Sequence, residues 1–259
     1  MSQPNNPTAA IIVIADEILS GRTKDKNIGW LAENLNSQGV QLAEARVIGD
    51  NRQMIIDTVR TLSAVYDLVF TSGGIGPTHD DITTEAIAAA FNVPVIRHPE
   101  AERRLLAHYK NTNLEFNEAR QKMADIPSTA TLIDNPLSAA PGFIIGNVHV
   151  FPGVPTILQA MFEGMRSALP GGVVMTRVTV QCGTGEGNIA KIMATVQSRY
   201  EGVSIGSYPW FKPGQFGTAV VVSGLDQTAT ETAAKDVESE VRIFGAHAQI
   251  VEADGTALV

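Results

Sequence analysis

Short apolar runs rich in β-branched residues alternate with amphipathic stretches along most of this chain, and that alternation limits the fold more than any other feature. "AAIIVIA" (9–15) reads as a strand. Its apolar residues are continuous, as in a strand covered on both faces. Residues 27–38 read as a helix with Ile28, Leu31, Ala32 and Leu35 on one face, stopped by Gly39. "VQLAEARVI" (40–48) reads as a second strand, and 51–66 as a helix with Met54, Ile55, Val59 and Leu62 turned inward. "DLVFTSG" (67–73) is a third, short and buried strand, followed by a helix over 83–91. "PVIRH" (94–98) is extended, 100–109 and 117–124 are helical, and "ATLIDN", "GFIIGN" and "VHVFPG" are three further short strands. A helix over 155–169 ends at Pro170-Gly171-Gly172. Strand–helix alternation of this kind predicts a mostly parallel sheet with helices on both faces, and ligands in such folds bind beyond the carboxyl ends of the strands.

"LPGGV" marks a boundary. Beyond it the pattern reads strand, helix, strand, strand, helix, strand, a βαββαβ layer. The expected organisation is therefore α/β: a three-layer, Rossmann-like domain over 8–170, then a small α+β domain over 173–259. The chain has 259 residues, 44% of them hydrophobic and 18% charged, enough for sizeable cores. A net charge of −8 argues against nucleic acid as a partner. It leaves room for a small anion held by backbone N–H groups. The single cysteine, Cys182, rules out an internal disulfide and a multi-cysteine zinc site, and reads as a packed strand thiol. No stretch has the length of a membrane span, and the polar N-terminal start does not read as a signal peptide. No membrane partner and a cytoplasmic location are the expectations.

The densest chemistry lies in "FTSGGIGPTHDDITTEA" (70–86). Gly73, Gly74 and Gly76 allow positive φ and close approach of a ligand to the backbone. Pro77 stiffens the turn, Pro77, Thr78 and Asp80 join the glycines as candidate ligand-binding residues, and the helix that follows offers free N–H groups and its positive dipole end. Asp80 and Asp81 would repel a bare phosphate. A divalent cation between carboxylate and phosphate resolves the conflict. The plainer reading makes Asp81 an acid of the first helical turn, with Thr83 or Thr84 and Glu85 assisting the helix start. His79 reads as exposed and incidental.

This stretch closely resembles the signature of the molybdopterin-binding (MoaB/Mog-like) domain superfamily, and its nearest branch resembles the competence/damage-inducible protein A family together with the N-terminal domain of FAD synthases. "ADEILSGRTKDKN" (15–27), "VIGDN" (47–51), "NEARQKMADIP" (117–127), "NPLSAAPGF" (135–143) and "FPGVP" (151–155) are similar to further motifs of that branch. Two positions depart from it: Ala15 stands where glycine is usual, and Gly187 where serine is. The resemblance implies a domain that binds a phosphate-bearing pterin or an adenine dinucleotide. It implies that Asp50 and Asp81 match two aspartates that molybdopterin adenylyltransferases use around metal and phosphate. It also implies metal-dependent hydrolysis of ADP-ribose- or FAD-type pyrophosphates.

Other candidates flank these. Asp16 and Glu17 end an apolar strand, where two acids are costly to bury without a solvent- or metal-lined cleft; Glu17 is the stronger catalytic candidate beside Asp81 and Asp50. Asn27 reads either as a helix cap or as a ligand contact. Asp50 has a capping alternative, with Gln53 completing a capping box. Lys24, Arg120 and Lys122 are candidate clamps for a leaving phosphate, with solvated charge as the alternative. Ser138, Pro141, Gly142 and Gly153 belong to proline–glycine loops that would form a rigid wall, with Ser138 read either as a hydrogen-bond partner of a ligand phosphate or as a turn residue. "YPWFKPGQF" (208–216) reads as an aromatic hairpin that packs against the first domain or a second subunit, with base stacking as the alternative. The expected cofactor is a divalent metal ion (Mg, Mn, Co or Ni) at Asp81 and Asp50, with K beside it and a pterin as the other candidate. The expected partners are a nucleotide or pterin small molecule and further copies of the chain in a homo-oligomer. Pterin binding for adenylylation and a non-catalytic binding module are the competing functions.

Overall fold

The computed structural model describes residues 6–112 and 114–251. The start of the chain and the end of the expected second domain lie outside the described residues. Two compact units emerge, Asn6–Gly172 and 173–251.

The first unit runs β1 (Thr8–Ile14), α1 (Asp16–Leu19), α2 (Asn27–Asn36), β2 (Gln41–Ile48), α3 (Arg52–Ser63), β3 (Leu68–Ser72) and α4 (Thr83–Ala90). It continues through β4 (Val95–Arg97), α5 (Pro99–Lys110), α6 (Glu118–Lys122), β5 (Asp125–Pro127), β6 (Thr131–Ile133), β7 (Gly142–Ile145), β8 (Val148–Phe151) and α7 (Pro155–Met165). Its main sheet has the order β2-β1-β3-β8-β7-β6. The first four strands are parallel, and β7 and β6 add an antiparallel edge. β4 and β5 form a separate two-stranded ribbon.

The continuous apolar run of β1 works as expected. Ala10, Ile12 and Ile14 enter one core with α3, α4 and α5, through Ile55, Val59, Leu62, Ile87 and Leu105. Ala9, Ile11 and Val13 enter the other, against Leu31 and Leu35 of α2 and Leu158, Met161 and Phe162 of α7. Because successive strand side chains point to opposite faces, a strand covered twice must be apolar throughout.

Four readings change in detail. Met54 is half exposed, and Ile56 takes its inward place on α3. Asp16 and Glu17, read as the end of a strand, instead start a one-turn helix, α1. β5 pairs antiparallel with β4, an element the periodicity did not reveal. The alternative capping box at Asp50 is absent, because Asn51 caps α3 by accepting from Met54 N.

The second unit runs β9 (Thr176–Cys182), α8 (Glu186–Gln197), β10 (Val203–Lys212), β11 (Gln215–Gly224), α9 (Gln227–Ile243) and β12 (Ala248–Val251). Its sheet has the order β10-β11-β9-β12 and every pairing is antiparallel. Val180, Cys182, Val220 and Val222 meet Ile189 and Val196 of α8 and Ala233, Val237 and Val241 of α9. The aromatic stretch is the β10–β11 hairpin, and Tyr208, Phe211 and Phe216 are exposed on it. No helix among the described residues is long and apolar enough to cross a membrane.

Candidate functional site

A cavity of about 490 Å³ in the first unit lies beyond the carboxyl ends of β1, β2 and β3. Five acids line it, Glu17, Asp25, Asp50, Asp80 and Asp81, together with Lys24, Lys26, Asn27, Ser72 and Gly153. Gly73, Gly74 and Gly76 line it as well.

The glycine loop has its shape for separate reasons at each position. Gly73 has φ +112°, and a Cβ there would lie 2.3 Å from the Ile14 carbonyl oxygen. Gly74 has φ +69°, and its Cβ would strike Thr83 Oγ1. Gly76 is not in the left-handed region; it is small because a Cβ would lie 2.7 Å from the Asp81 carboxylate. The three N–H groups also differ. Gly73 N donates to Phe151 O (3.0 Å), extending the sheet one residue past β3. It is not free for an anion, contrary to expectation. The N–H groups of Gly74 and Gly76 have no protein acceptor among the described residues.

Asp81 is not an acid of the α4 first turn. It closes its own turn: Thr78 N (2.8 Å) and Thr78 Oγ1 both donate to Asp81 Oδ2. Oδ1 of Asp81 has no protein partner among the described residues. Asp50 is tied in the same manner, with Asp16 N donating to Asp50 Oδ2 (3.0 Å) while Asp50 N donates to Asp16 Oδ1 (3.3 Å). Partial burial holds the Asp50 carboxyl above its ordinary range; the donation from Asp16 N opposes that shift, and the negative charges of Asp16, Glu17 and Asp80 add to it. Each aspartate is thus oriented through one oxygen and keeps the other available.

Asn27 does not cap α2. Asp25 does, accepting from Asn27 N (3.3 Å) and Ile28 N (3.0 Å). The Asn27 side chain is buried, with Nδ2 donating to Ser72 Oγ (2.7 Å) and Gly153 O (3.0 Å). Its Oδ1 is buried without a partner among the described residues.

Several expected site residues lie elsewhere. Lys122 Nζ donates to the carbonyls of Thr78 (2.9 Å) and Asp81 (2.8 Å), so it braces the aspartate loop from behind. Arg120 lies over the Tyr109 ring (5.2 Å) and donates to Glu115 O. Ser138 completes a turn by accepting from Asn135 Nδ2 (2.7 Å). Gly142 is buried in β7, where a Cβ would lie 2.3 Å from Val150 O. Pro141 lines a much smaller cavity, about 20 Å³, with Lys122. Pro77 and Thr78 are exposed and do not line the cleft. The sequence reading passed over Ser72 and the reciprocal Asp16–Asp50 contact. A small polar residue ending a fully buried strand was the available signal for Ser72.

The departures at Ala15 and Gly187 carry no strain. Ala15 has extended backbone (φ −171°), and Gly187 has open space where a side chain would project.

Comparison with known proteins agrees with the geometry. Residues 10–170 match a family described as a probable molybdopterin binding domain, and residues 174–245 match the FAD synthase middle domain. A CinA-like protein of Parasynechococcus marenigrum is 31% identical over 90% of this chain, which spans 57% of that relative's length. A protein of Archaeoglobus fulgidus is 34% identical over 88% of this chain and 95% of its own. The crystal structure of CinA from Thermoplasma acidophilum, a protein of unknown function, is 32% identical with a TM-score of 0.58, covering 63% of this chain and 98% of that one. The chain belongs to the molybdopterin-binding domain family and, within it, to the CinA-like proteins.

Proposed function

We propose that the protein hydrolyses the diphosphate bond of an ADP-ribose- or FAD-type compound, with a divalent metal ion (Mg, Mn, Co or Ni) at Asp50 and Asp81 and K as a companion ion. One observation carries this reading: two carboxylates, each fixed through one oxygen and open at the other, line the same cleft as a glycine loop with unpaired N–H groups. Among the described residues no three His, Cys, Asp or Glu side chains are grouped to hold a metal alone. The donor set fits an ion shared between two carboxylates and diphosphate oxygens, since hard cations take oxygen ligands from both. Once bound, such an ion neutralises phosphoryl charge and acidifies a water.

The chain's own residues supply the remainder. Gly74 and Gly76 offer N–H groups to the charge that develops on the phosphoryl oxygens. Lys24, one of two lysines that line the cleft, would offset the leaving phosphate, with Lys122 positioning Asp81. Water adds to one phosphorus as the bridging P–O bond breaks, so ADP-ribose yields AMP and ribose 5-phosphate. The match of the second unit to the FAD synthase middle domain supports FAD as a substrate to test. Self-association belongs to the same reading, with the exposed aromatics of the β10–β11 hairpin as the surface; sedimentation reads it directly.

A second reading has an observation of its own. The matched family is described by pterin binding, so a phosphate-bearing pterin is the alternative occupant of this cleft. Incubation with ADP-ribose, FAD and NAD, with and without each metal, separates the two. Metal-dependent AMP that falls at least a hundredfold in Asp81→Asn supports hydrolysis, because asparagine still accepts from Thr78 N. Absence of AMP under every metal, with a pterin retained through purification, overturns it.

A further inference from the structure

We infer that Asn27 and Ser72 form a neutral reading head in the cleft that takes a sugar hydroxyl of the ligand, a specificity element separate from the carboxylates. The inference rests on the hydrolase reading for its ligand class, but its observation is independent.

The orientation of the Asn27 amide is fixed. The Gly153 carbonyl only accepts, so the atom 3.0 Å from it is Nδ2, and Oδ1 is the other end. Nδ2 spends both protons, on Gly153 O and Ser72 Oγ. Asn27 is only 4% exposed, so Oδ1 is an acceptor shielded from bulk water with no donor among the described residues. A buried polar atom in this state is costly and rare. Ser72 is equally buried, and its hydroxyl proton has no acceptor among the described residues. Asn27, Ser72 and Gly153 all line the cleft. An unused acceptor and an unused donor therefore sit on hydrogen-bonded neighbours.

Charge and chemistry select what fits. A phosphate oxygen brings no proton for Asn27 Oδ1, and five carboxylates line the same cavity. An ammonium group satisfies the acceptor but cannot accept from Ser72. A hydroxyl does both on one atom, and ADP-ribose carries a ribose on each side of its diphosphate. The amide edge of a pterin offers a donor and acceptor on adjacent atoms, so the test must tell the two apart.

Calorimetric titration of the full chain with Mg²⁺ supplies that test. The probes are ADP against its 2′-deoxy and 3′-deoxy forms, ribose 5-phosphate against 2-deoxyribose 5-phosphate, and neopterin. Loss of the hydroxyl that Asn27 reads leaves Oδ1 unpaired again, so one deoxy probe should bind about tenfold more weakly or worse. In Asn27→Ala that ratio should fall to near one. Ser72→Ala keeps the Asn27–Gly153 bond and should shrink the ratio without abolishing it, which serves if Asn27→Ala fails to fold. Equal affinity for ribose and deoxyribose probes in the unmodified protein overturns the inference, as does binding of neopterin alone or of no probe. A large ratio without AMP release sinks the hydrolase reading only; AMP release with a ratio of one sinks this inference only.

Discussion

In the first unit β1 is buried along six consecutive residues, Ala9 to Ile14, whereas β11 of the second unit alternates buried Val220 and Val222 with half-exposed Ala219, Val221 and Ser223. Both are inner strands of their sheets. The difference lies in how many helical layers cover them. β1 has helices on both faces, so polarity can appear only where it ends, and there Ala15 gives way at once to Asp16 and Glu17. β11 carries α8 and α9 on one face, so its other face tolerates polar residues and its hairpin displays aromatics. A twice-covered sheet thus concentrates its chemistry at strand ends, while a once-covered sheet offers a face.

Each unit contains one of the two tryptophans, Trp30 or Trp210, so chemical denaturation of the full chain can be followed in each separately. The largest expected effect is Phe162→Ala. Phe162 is fully buried, edge-on to Trp30 at 5.3 Å and beside Phe70 at 6.1 Å. Its loss should cost the first unit about 4 kcal/mol, shifting the Trp30 transition and leaving that of Trp210 in place. Equal shifts of both would break the contrast between two separate cores.

Next comes Gly73→Ala. Its φ of +112° and the Ile14 carbonyl 2.3 Å from the added Cβ leave no strain-free accommodation. We expect about 3 kcal/mol of destabilisation, again at Trp30, with loss of ligand binding. A variant of unaltered stability would show that the loop geometry is not as described.

The smallest effect belongs to Cys182. Burial, with the Glu238 charge behind it, pushes the thiol from 9.0 up to about 11. The folded state therefore holds the proton more tightly than the unfolded chain. The associated stability is intact below pH 9 and is eroded as the pH rises from 9 toward 11. Compared with Cys182→Ala, the parent should show the steeper decline over that window in the Trp210 transition. Parallel pH profiles for the two would contradict a sealed thiol.

The sequence carried the layer architecture because one-sided and two-sided burial leave different periods in it. It carried the glycine–aspartate loop because the conformation needed at Gly73 and Gly74 excludes side chains. The partners were not legible. Asp16 and Asp50 meet across 34 residues of chain, and Asn27 and Ser72 across 45, so both pairings depend on which strands become neighbours. Local rules offered capping as one reading of Asp50 and Asn27, but Asn51 and Asp25, one and two positions away, satisfy the helix ends instead. Lys122 and Arg120 share a short helix, α6, yet one braces Asp81 and the other covers Tyr109.

The crossed contact between Asp16 and Asp50 has a consequence for how this protein can change over time. Each residue's amide is held by the other's carboxylate, so the turns after β1 and β2 act as mutual gauges of length. Adding or removing one residue in either would release both contacts together, and a compensating change in the other turn would be needed to restore them.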